Sequence, residues 1–165
     1  MNPILMYFNG EKTESYIILL LGVIALVLAL YSIVSLKTPF WNGVAISFIV
    51  VSLLEIVVGF TIITRTPKDI LRVETQIQQQ PMHIKVHEIP RMEKVMSNFV
   101  LFRYIEILLI IVGIALMYSS PNDTFLRGIG LGLFSQTSIV LILDFFAERR
   151  GYIYIEYLKE FIQQI

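Results

Sequence analysis

Cysteine is absent from this chain of 165 residues, and charged side chains are scarce. Without thiols there can be no disulfide bonds, thiolate metal ligands or thiol redox chemistry. Asp, Glu, Lys and Arg make up 16% of the residues, whereas a typical soluble domain has about 25%. The formal net charge is zero, so the bulk charge gives no reason to expect nucleic acid as a partner. We therefore expect the lipid bilayer to be the solvent for much of the surface.

Four long apolar stretches contain most of the hydrophobic residues. Each is close to the length of about 20 residues that a helix needs to cross a bilayer. We predict an all-α integral membrane protein, with one bundle of four transmembrane helices over residues 1–165. A connection (65–98) and a tail (148–165) complete it. The predicted spans cover about 16–36, 43–64, 99–119 and 125–147.

The basic residues predict the orientation of the spans. Four spans place both termini and the 65–98 connection on one side. Of the 13 Lys and Arg residues, only Lys37 and Arg127 fall on the other side, which leaves 11. An excess of Lys and Arg marks the cytoplasmic side, so we expect cytoplasmic termini and a prokaryotic cell (inner) membrane. The first ten residues lack the basic region with which a cleavable signal peptide begins. We therefore predict that the first helix remains in the mature protein.

The 65–98 connection contains signals for a short helix followed by a strand. Thr66 and Pro67 have the pattern of an N-cap and a first helical residue, which predicts a helix ending before Pro81. Residues 82–87 alternate apolar and polar side chains, which predicts a strand. Pro90 is expected to start a helix that continues into the third span.

The tail and two of the spans present distinct faces. The tail has apolar residues at helical spacing, which predicts an amphipathic C-terminal helix that lies on the membrane or packs on the cytoplasmic layer. The first span has a stripe of small residues, and Gly128 and Gly132 form a second one in the fourth span. Small residues allow close helix packing, and one bundle needs only part of this surface, so we predict a homo-oligomer. The first stripe consists of Gly22, Ala25, Ala29 and Ser32.

Three spans contain a single carboxylate each. Such a group costs about 2.5–3.5 kcal/mol on insertion scales, so it usually has a partner or a function. From the helical rise, Glu55, Glu106 and Asp144 lie roughly 15, 12 and 7 Å from the cytoplasmic surface. Arg103 lies one turn before Glu106, and Gln136 lies two turns before Asp144. The candidate site therefore comprises five residues in the cytoplasmic half of the membrane.

These five residues allow two interpretations. Three acids exceed what one Arg can neutralise, which indicates a cavity that takes up a proton or a cation. This interpretation predicts a small oligomeric channel or carrier for a cation, proton or small solute. The alternative is an internal ion-pair network, in which Arg103 ties Glu106 to Asp144 or Glu55. The protein would then be a non-catalytic subunit or scaffold with a membrane or cytoplasmic protein partner. No nucleophile–base pair favours an enzyme, and no cofactor is indicated.

A separate candidate site lies in the 65–98 connection. His83 and His87 share a face on either a strand or a helix, and Glu88 adjoins them. Two imidazoles and a carboxylate can bind Zn²⁺ or Fe²⁺. The sequence has no obvious third ligand at a suitable spacing, so a solvated loop is the alternative that it favours.

Overall fold

The computed structural model describes residues 3–164, and within this range the chain forms four long helices. Each helix contains a segment long and apolar enough to cross a membrane, and each predicted span lies within one helix. The predicted all-helical architecture with four apolar helices is therefore confirmed. The helices are α1 (Pro3–Leu36), α2 (Pro39–Gln79), α3 (Pro81–Ser119) and α4 (Phe125–Gln163).

Two short connections join the helices at one end of the bundle. Lys37 has a left-handed backbone (φ 52°) and stops α1. Thr38 and Thr124 then cap α2 and α4, since each hydroxyl accepts a hydrogen bond from a first-turn N–H, at 3.3 and 3.4 Å. The opposite end carries most of the charged side chains and is called the polar end below. It consists of residues 3–15, 65–98 and 148–164.

The helix predicted to begin at Pro67 is the final part of α2, so the prediction of a separate helix is wrong. Thr66 does not cap a helix, because its hydroxyl donates to the carbonyl of Ile62 at 2.7 Å within α2. A proline inside a helix removes one backbone donor and crowds the preceding turn. Burial of Val73 in the apolar core of the polar end favours continuation of the helix despite that cost.

The predicted strand at 82–87 is also wrong, because no residue between 3 and 164 lies in a strand. This segment belongs to α3 and contains one wide π-helical turn, in which the N–H of Ile89 bonds to the carbonyl of Ile84. The wide turn precedes Pro90, which has no N–H to donate. Ile84, Glu88 and Met92 are all buried at a spacing of four. The helical period therefore outweighs the short alternation.

Close backbone contacts at glycines determine how α4 packs. Helix α2 packs along α1 and α4, and α3 packs along α4. A Cβ atom on Gly128 would lie 1.9 Å from the carbonyl oxygen of Phe40 in α2. A Cβ atom on Gly130 would lie 2.6 Å from the carbonyl oxygen of Gly113 in α3. Only residues without a side chain permit these approaches.

The small residues of α1 are also used inside the bundle. Gly22 lies against Glu55 and Ile56 of α2, and Gly59 of α2 lies against the backbone of Ser15. The two small-residue faces are therefore occupied by packing within one chain. The expected homo-oligomer needs a different surface, and it stays a prediction.

The polar end has its own apolar core, to which all four helices contribute. Helix α4 continues unbroken through Gly151, and its last part buries Tyr154, Ile155 and Leu158 in this core. The amphipathic tail thus packs its apolar face into the core of the polar end. Residues 1, 2 and 165 of the predicted domain and tail lie outside the described residues. The core consists of Ile4, Tyr7, Phe8, Val73, Ile84, Ile89, Met92, Met96, Tyr154, Ile155 and Leu158.

Candidate functional site

The deepest predicted acid, Glu55, pairs with an amide. Gln136 of α4 donates a hydrogen bond from Nε2 to Oε2 of Glu55 at 3.0 Å, and both side chains are buried. Gly22 of α1 packs against Glu55 from the other side. Glu55 is therefore enclosed between α1 and α4, as part of a helix–helix contact.

The other two predicted acids, Glu106 of α3 and Asp144 of α4, interact with each other. Their carboxyl groups are close enough for a direct hydrogen bond, which requires one of them to hold a proton. Glu106 is buried, and its Oε2 atom has no hydrogen-bond partner in the described part of the chain. Among residues 3–164, no Lys or Arg forms an ion pair with either acid. The pair is thus a carboxyl–carboxyl contact without a direct ion pair, and Arg103 is a positive charge that acts on Glu106 from a longer distance.

Arg103 pairs with an acid that the sequence-based site left out. Its Nη2 atom donates to Oε1 of Glu148 in α4 at 2.8 Å. Glu148 lies one turn beyond Asp144 and directly before Arg149 and Arg150. Arg103 therefore forms its direct ion pair with Glu148 and not with Glu55, Glu106 or Asp144, although its charge also acts on Glu106.

The five predicted residues therefore form two separate sites along α4. Gln136 and Asp144 are eight residues apart, which corresponds to about 12 Å along the helix axis. The upper site, which lies farther from the polar end, joins α2 and α4 through Glu55 and Gln136. The lower site, which lies nearer to the polar end, joins α3 and α4 through the Glu106–Asp144 carboxyl pair and the Arg103–Glu148 ion pair.

A groove of about 360 Å³ runs along the lower site. Arg103, Asp144 and Glu148 are its polar lining residues. Several of the apolar residues are also exposed on the outside of the bundle, where Phe145 is 59% and Phe146 51% accessible. The groove therefore opens laterally, towards the surroundings of the apolar helices. Its apolar lining consists of Phe99, Ile107, Leu141, Ile142, Phe145 and Phe146.

A second ionic cluster at the polar end centres on Glu88. This carboxylate is 2% exposed. It accepts hydrogen bonds from Arg91 at 2.6 and 3.0 Å, from Arg72 at 3.2 Å and from the hydroxyl of Tyr154 at 3.2 Å. Burial and the adjacent Glu88 raise the pKa of Tyr154. The sequence signal for this cluster is the i, i+3 spacing of Glu88 and Arg91 on a helix. It was missed because the helix was expected to start only at Pro90, after Glu88.

Further ion pairs tie α1 to the other helices at the polar end. Glu11 accepts from Arg65 of α2 at 2.7 Å, and Glu14 accepts from Arg150 of α4. Burial raises the pKa of Glu11, and the charge of Arg65 opposes that rise. These pairs and the Glu88 cluster hold the ends of all four helices together.

The two histidines of the candidate metal site lie side by side. Their ring centres are 5.3 Å apart. Glu88 does not join them, because it turns inward to the two arginines. Within residues 3–164, no group of three or more His, Asp or Glu side chains is arranged to hold a metal ion.

Comparison with protein-family models, curated protein sequences and solved structures finds no significant match to this chain.

Proposed function

We propose that this protein is a small membrane carrier or channel for protons or cations, and that Glu106 and Asp144 form its ion-binding site. The observation that supports this proposal is the contact between two carboxyl groups that form no direct ion pair with Lys or Arg within residues 3–164, since Arg103 acts on Glu106 only from beyond ion-pair distance. The site is narrower than the five-residue cavity expected from the sequence. The Glu55–Gln136 contact is then part of the scaffold.

Two adjacent carboxylates cannot both be charged at low cost. Like charges at hydrogen-bonding distance disfavour the ionised form, and burial adds to that effect. The pair can avoid the repulsion by sharing one proton or by binding a cation. Exchange between these two states is the elementary step of a cation–proton carrier. A bare proton channel would use the protonation step alone.

The surrounding charges leave this site net negative. On α3 the facing charge is Arg103, and on α4 it is Glu148, and these two neutralise each other. On α1, Glu14 is close enough to interact with Asp144, and Glu14 pairs with Arg150. With one shared proton, the Glu106–Asp144 pair keeps one negative charge. A monovalent cation could replace that proton without changing the charge of the site.

The proposal includes three further expectations: the four helices insert into a lipid bilayer, the polar end faces the cytoplasm, and copies of the chain form a homo-oligomer. Eleven basic residues against two favour a cytoplasmic polar end, so the site would open near the cytoplasmic surface. Helix α3 buries only 11% of its most apolar segment, whereas each other helix buries 22%. Its uncovered surface is the one that a second copy could occupy in a homo-oligomer.

Proteoliposomes containing only the purified protein test the function. With a potassium diffusion potential as the driving force, a pH-sensitive dye inside the vesicles reports proton flux. We expect the native protein to conduct protons or exchange them for an added cation, and Glu106→Gln and Asp144→Asn to abolish the flux. Glu160→Gln and Asp123→Asn remove the same groups at exposed positions and should leave the flux unchanged. Equal flux in all four variants would contradict the proposal.

A non-catalytic membrane subunit or scaffold is the second candidate. The observation in its favour is the number of charged side chains that already have partners at the polar end, which is typical of a rigid structural unit. In this case protein-free and protein-containing vesicles would show the same flux. The carboxyl pair would then contribute to stability only.

A further inference from the structure

The groove beside the carboxyl pair is shaped for a molecule larger than a proton or a metal ion. Its volume of about 360 Å³ falls within the range of about 300–1,000 Å³ that is typical of sites for small organic molecules. An inorganic cation would need a compact set of oxygen ligands. Here most of the lining is hydrocarbon, and the carboxylate-bearing residues that line it are Asp144 and Glu148.

Aromatic rings provide much of that hydrocarbon surface. Phe99 comes from α3, and Phe145 and Phe146 come from α4. The face of an aromatic ring attracts a cation that is within about 6 Å, and the attraction is stronger where water is excluded. Phe145 and Phe146 are also exposed on the side of the bundle, so a ligand could reach them from the hydrocarbon phase.

The charge of the groove selects the sign of the ligand. Asp144 lines the groove, and Glu106, which does not line it, is close enough to Asp144 for a direct hydrogen bond. Arg103 and Glu148 line the same groove but neutralise each other. A positive ligand would gain a counter-charge here, whereas a negative ligand of the same shape would meet the charge of the pair.

From these observations we propose that the substrate is a lipophilic organic cation, which enters the α3–α4 groove from the bilayer and displaces the proton shared by Glu106 and Asp144. This inference rests on the proposed function and names the substrate class of the same site. One cation binds and one proton leaves, so the net charge of the site is unchanged. Proton uptake at the same pair would release the cation.

Two probes of nearly identical shape and opposite charge test the inference. Tetraphenylphosphonium is a lipophilic cation, and tetraphenylborate is its anionic counterpart. Calorimetric titration of the purified protein in detergent should show saturable binding of the cation alone, with one site per chain. Since the proton competes, the cation should bind at least tenfold more weakly at pH 5 than at pH 8. In weakly buffered solution at pH 5, where the pair holds its proton, binding should release one proton per cation.

Matched variants separate the contributions of charge and aromatic rings. Asp144→Asn and Glu106→Gln should weaken binding at least tenfold, and Phe145→Leu should weaken it several-fold while keeping an apolar side chain. Glu160→Gln and Phe60→Leu make the same chemical changes at exposed positions outside the groove, and they should bind like the native protein. If an acid variant fails to fold, Phe145→Leu and the proton count still decide the question.

Three results would overturn the inference. They are equal affinity for the two probes, undiminished binding by both acid variants, or binding without proton release. Each would mean that the probe only partitions into apolar surface. The proposed function fails differently, through the loss of protein-dependent proton flux in vesicles. A protein that conducts protons through Glu106 and Asp144 but ignores tetraphenylphosphonium would keep the function and lose this substrate class.

Discussion

The hydrogen bond between Glu55 and Gln136 allows a sharp prediction, because the partner is a neutral amide. The two side chains are 6% and 5% exposed, and the bond joins α2 to α4 at 3.0 Å. We consider Glu55→Gln first. The new amide keeps the size of the side chain and an oxygen that can accept from Nε2 of Gln136. The free energy of unfolding should therefore change by less than about 1 kcal/mol.

A charged partner would give a much larger effect. If Arg103 were the partner of Glu55, the same substitution would leave a buried positive charge unpaired, at a cost of about 3–5 kcal/mol. Arg103 instead pairs with Glu148. The predicted difference between the two cases is therefore at least about 2 kcal/mol, which is well above the usual error of an unfolding measurement.

A double-mutant cycle then isolates the bond itself. Gln136→Leu leaves the carboxyl group of Glu55 buried without its donor, which should cost about 1–3 kcal/mol. Adding Glu55→Leu removes both polar groups and should recover most of that loss. The coupling energy should be about 0.6 kcal/mol and at most about 1.7 kcal/mol, which are the average and the maximum found for hydrogen bonds between membrane helices.

Reversible unfolding in mixed micelles, followed by the fluorescence of the single tryptophan, Trp41, provides the measurement. Ser138→Ala, which removes the exposed hydrogen bond from the Ser138 hydroxyl to the carbonyl of Phe134 within α4, is the control for α4. A loss above about 3 kcal/mol for Glu55→Gln would show a charged partner. A coupling energy of zero would show that the contact contributes nothing to the bundle. Either result would refute the reasoning above.

Three other predictions concern the frame of the bundle, and unfolding experiments or fusions test them. Gly128→Ala should destabilise the protein by about 1–3 kcal/mol or more, because its Cβ would lie 1.9 Å from a carbonyl oxygen; Gly10→Ala, which meets only a flexible arginine side chain, should cost less. Glu88→Gln should cost about 1–3 kcal/mol by weakening a buried cluster, whereas the same change at exposed Glu93 should cost at most about 1 kcal/mol. Reporter fusions at residue 38 and at the C-terminus should report opposite sides of the membrane; the same side for both would contradict the four-span topology.

The carboxyl–carboxyl contact could be predicted from the sequence only in part. The cost of burying a charge singled out Glu106 and Asp144, because acids inside apolar stretches are rare. Their pairing depends on α3 packing along α4, which the sequence does not specify. Arg103 could reach Glu106 on its own helix by spacing alone. In the fold it lies closer to Glu148 of the neighbouring helix, and that ion pair leaves the two acids facing each other.

The segment around Glu88 shows why a short pattern can mislead. Six residues of alternating polarity fit a strand, but they also fit a helix in which one residue in four is buried. The apolar core of the polar end decides between them, since it takes up Ile84, Met92 and Tyr154 together. A local pattern of six residues contains too little information to outweigh contacts with three other segments.

The sequence by itself determined the number and the positions of the four long apolar segments. The reason is physical: a hydrocarbon layer requires a continuous apolar length with its backbone hydrogen bonds satisfied internally, and that property is local to each stretch. Only the tertiary structure decided which side chains meet. Each helix offers several faces, and the neighbour on each face is set by glycine contacts such as Gly43 with the backbone at Phe125 and Gly130 with Gly113. These contacts join residues far apart in the chain, so the partners of Glu55, Arg103 and Glu106 followed from helix packing.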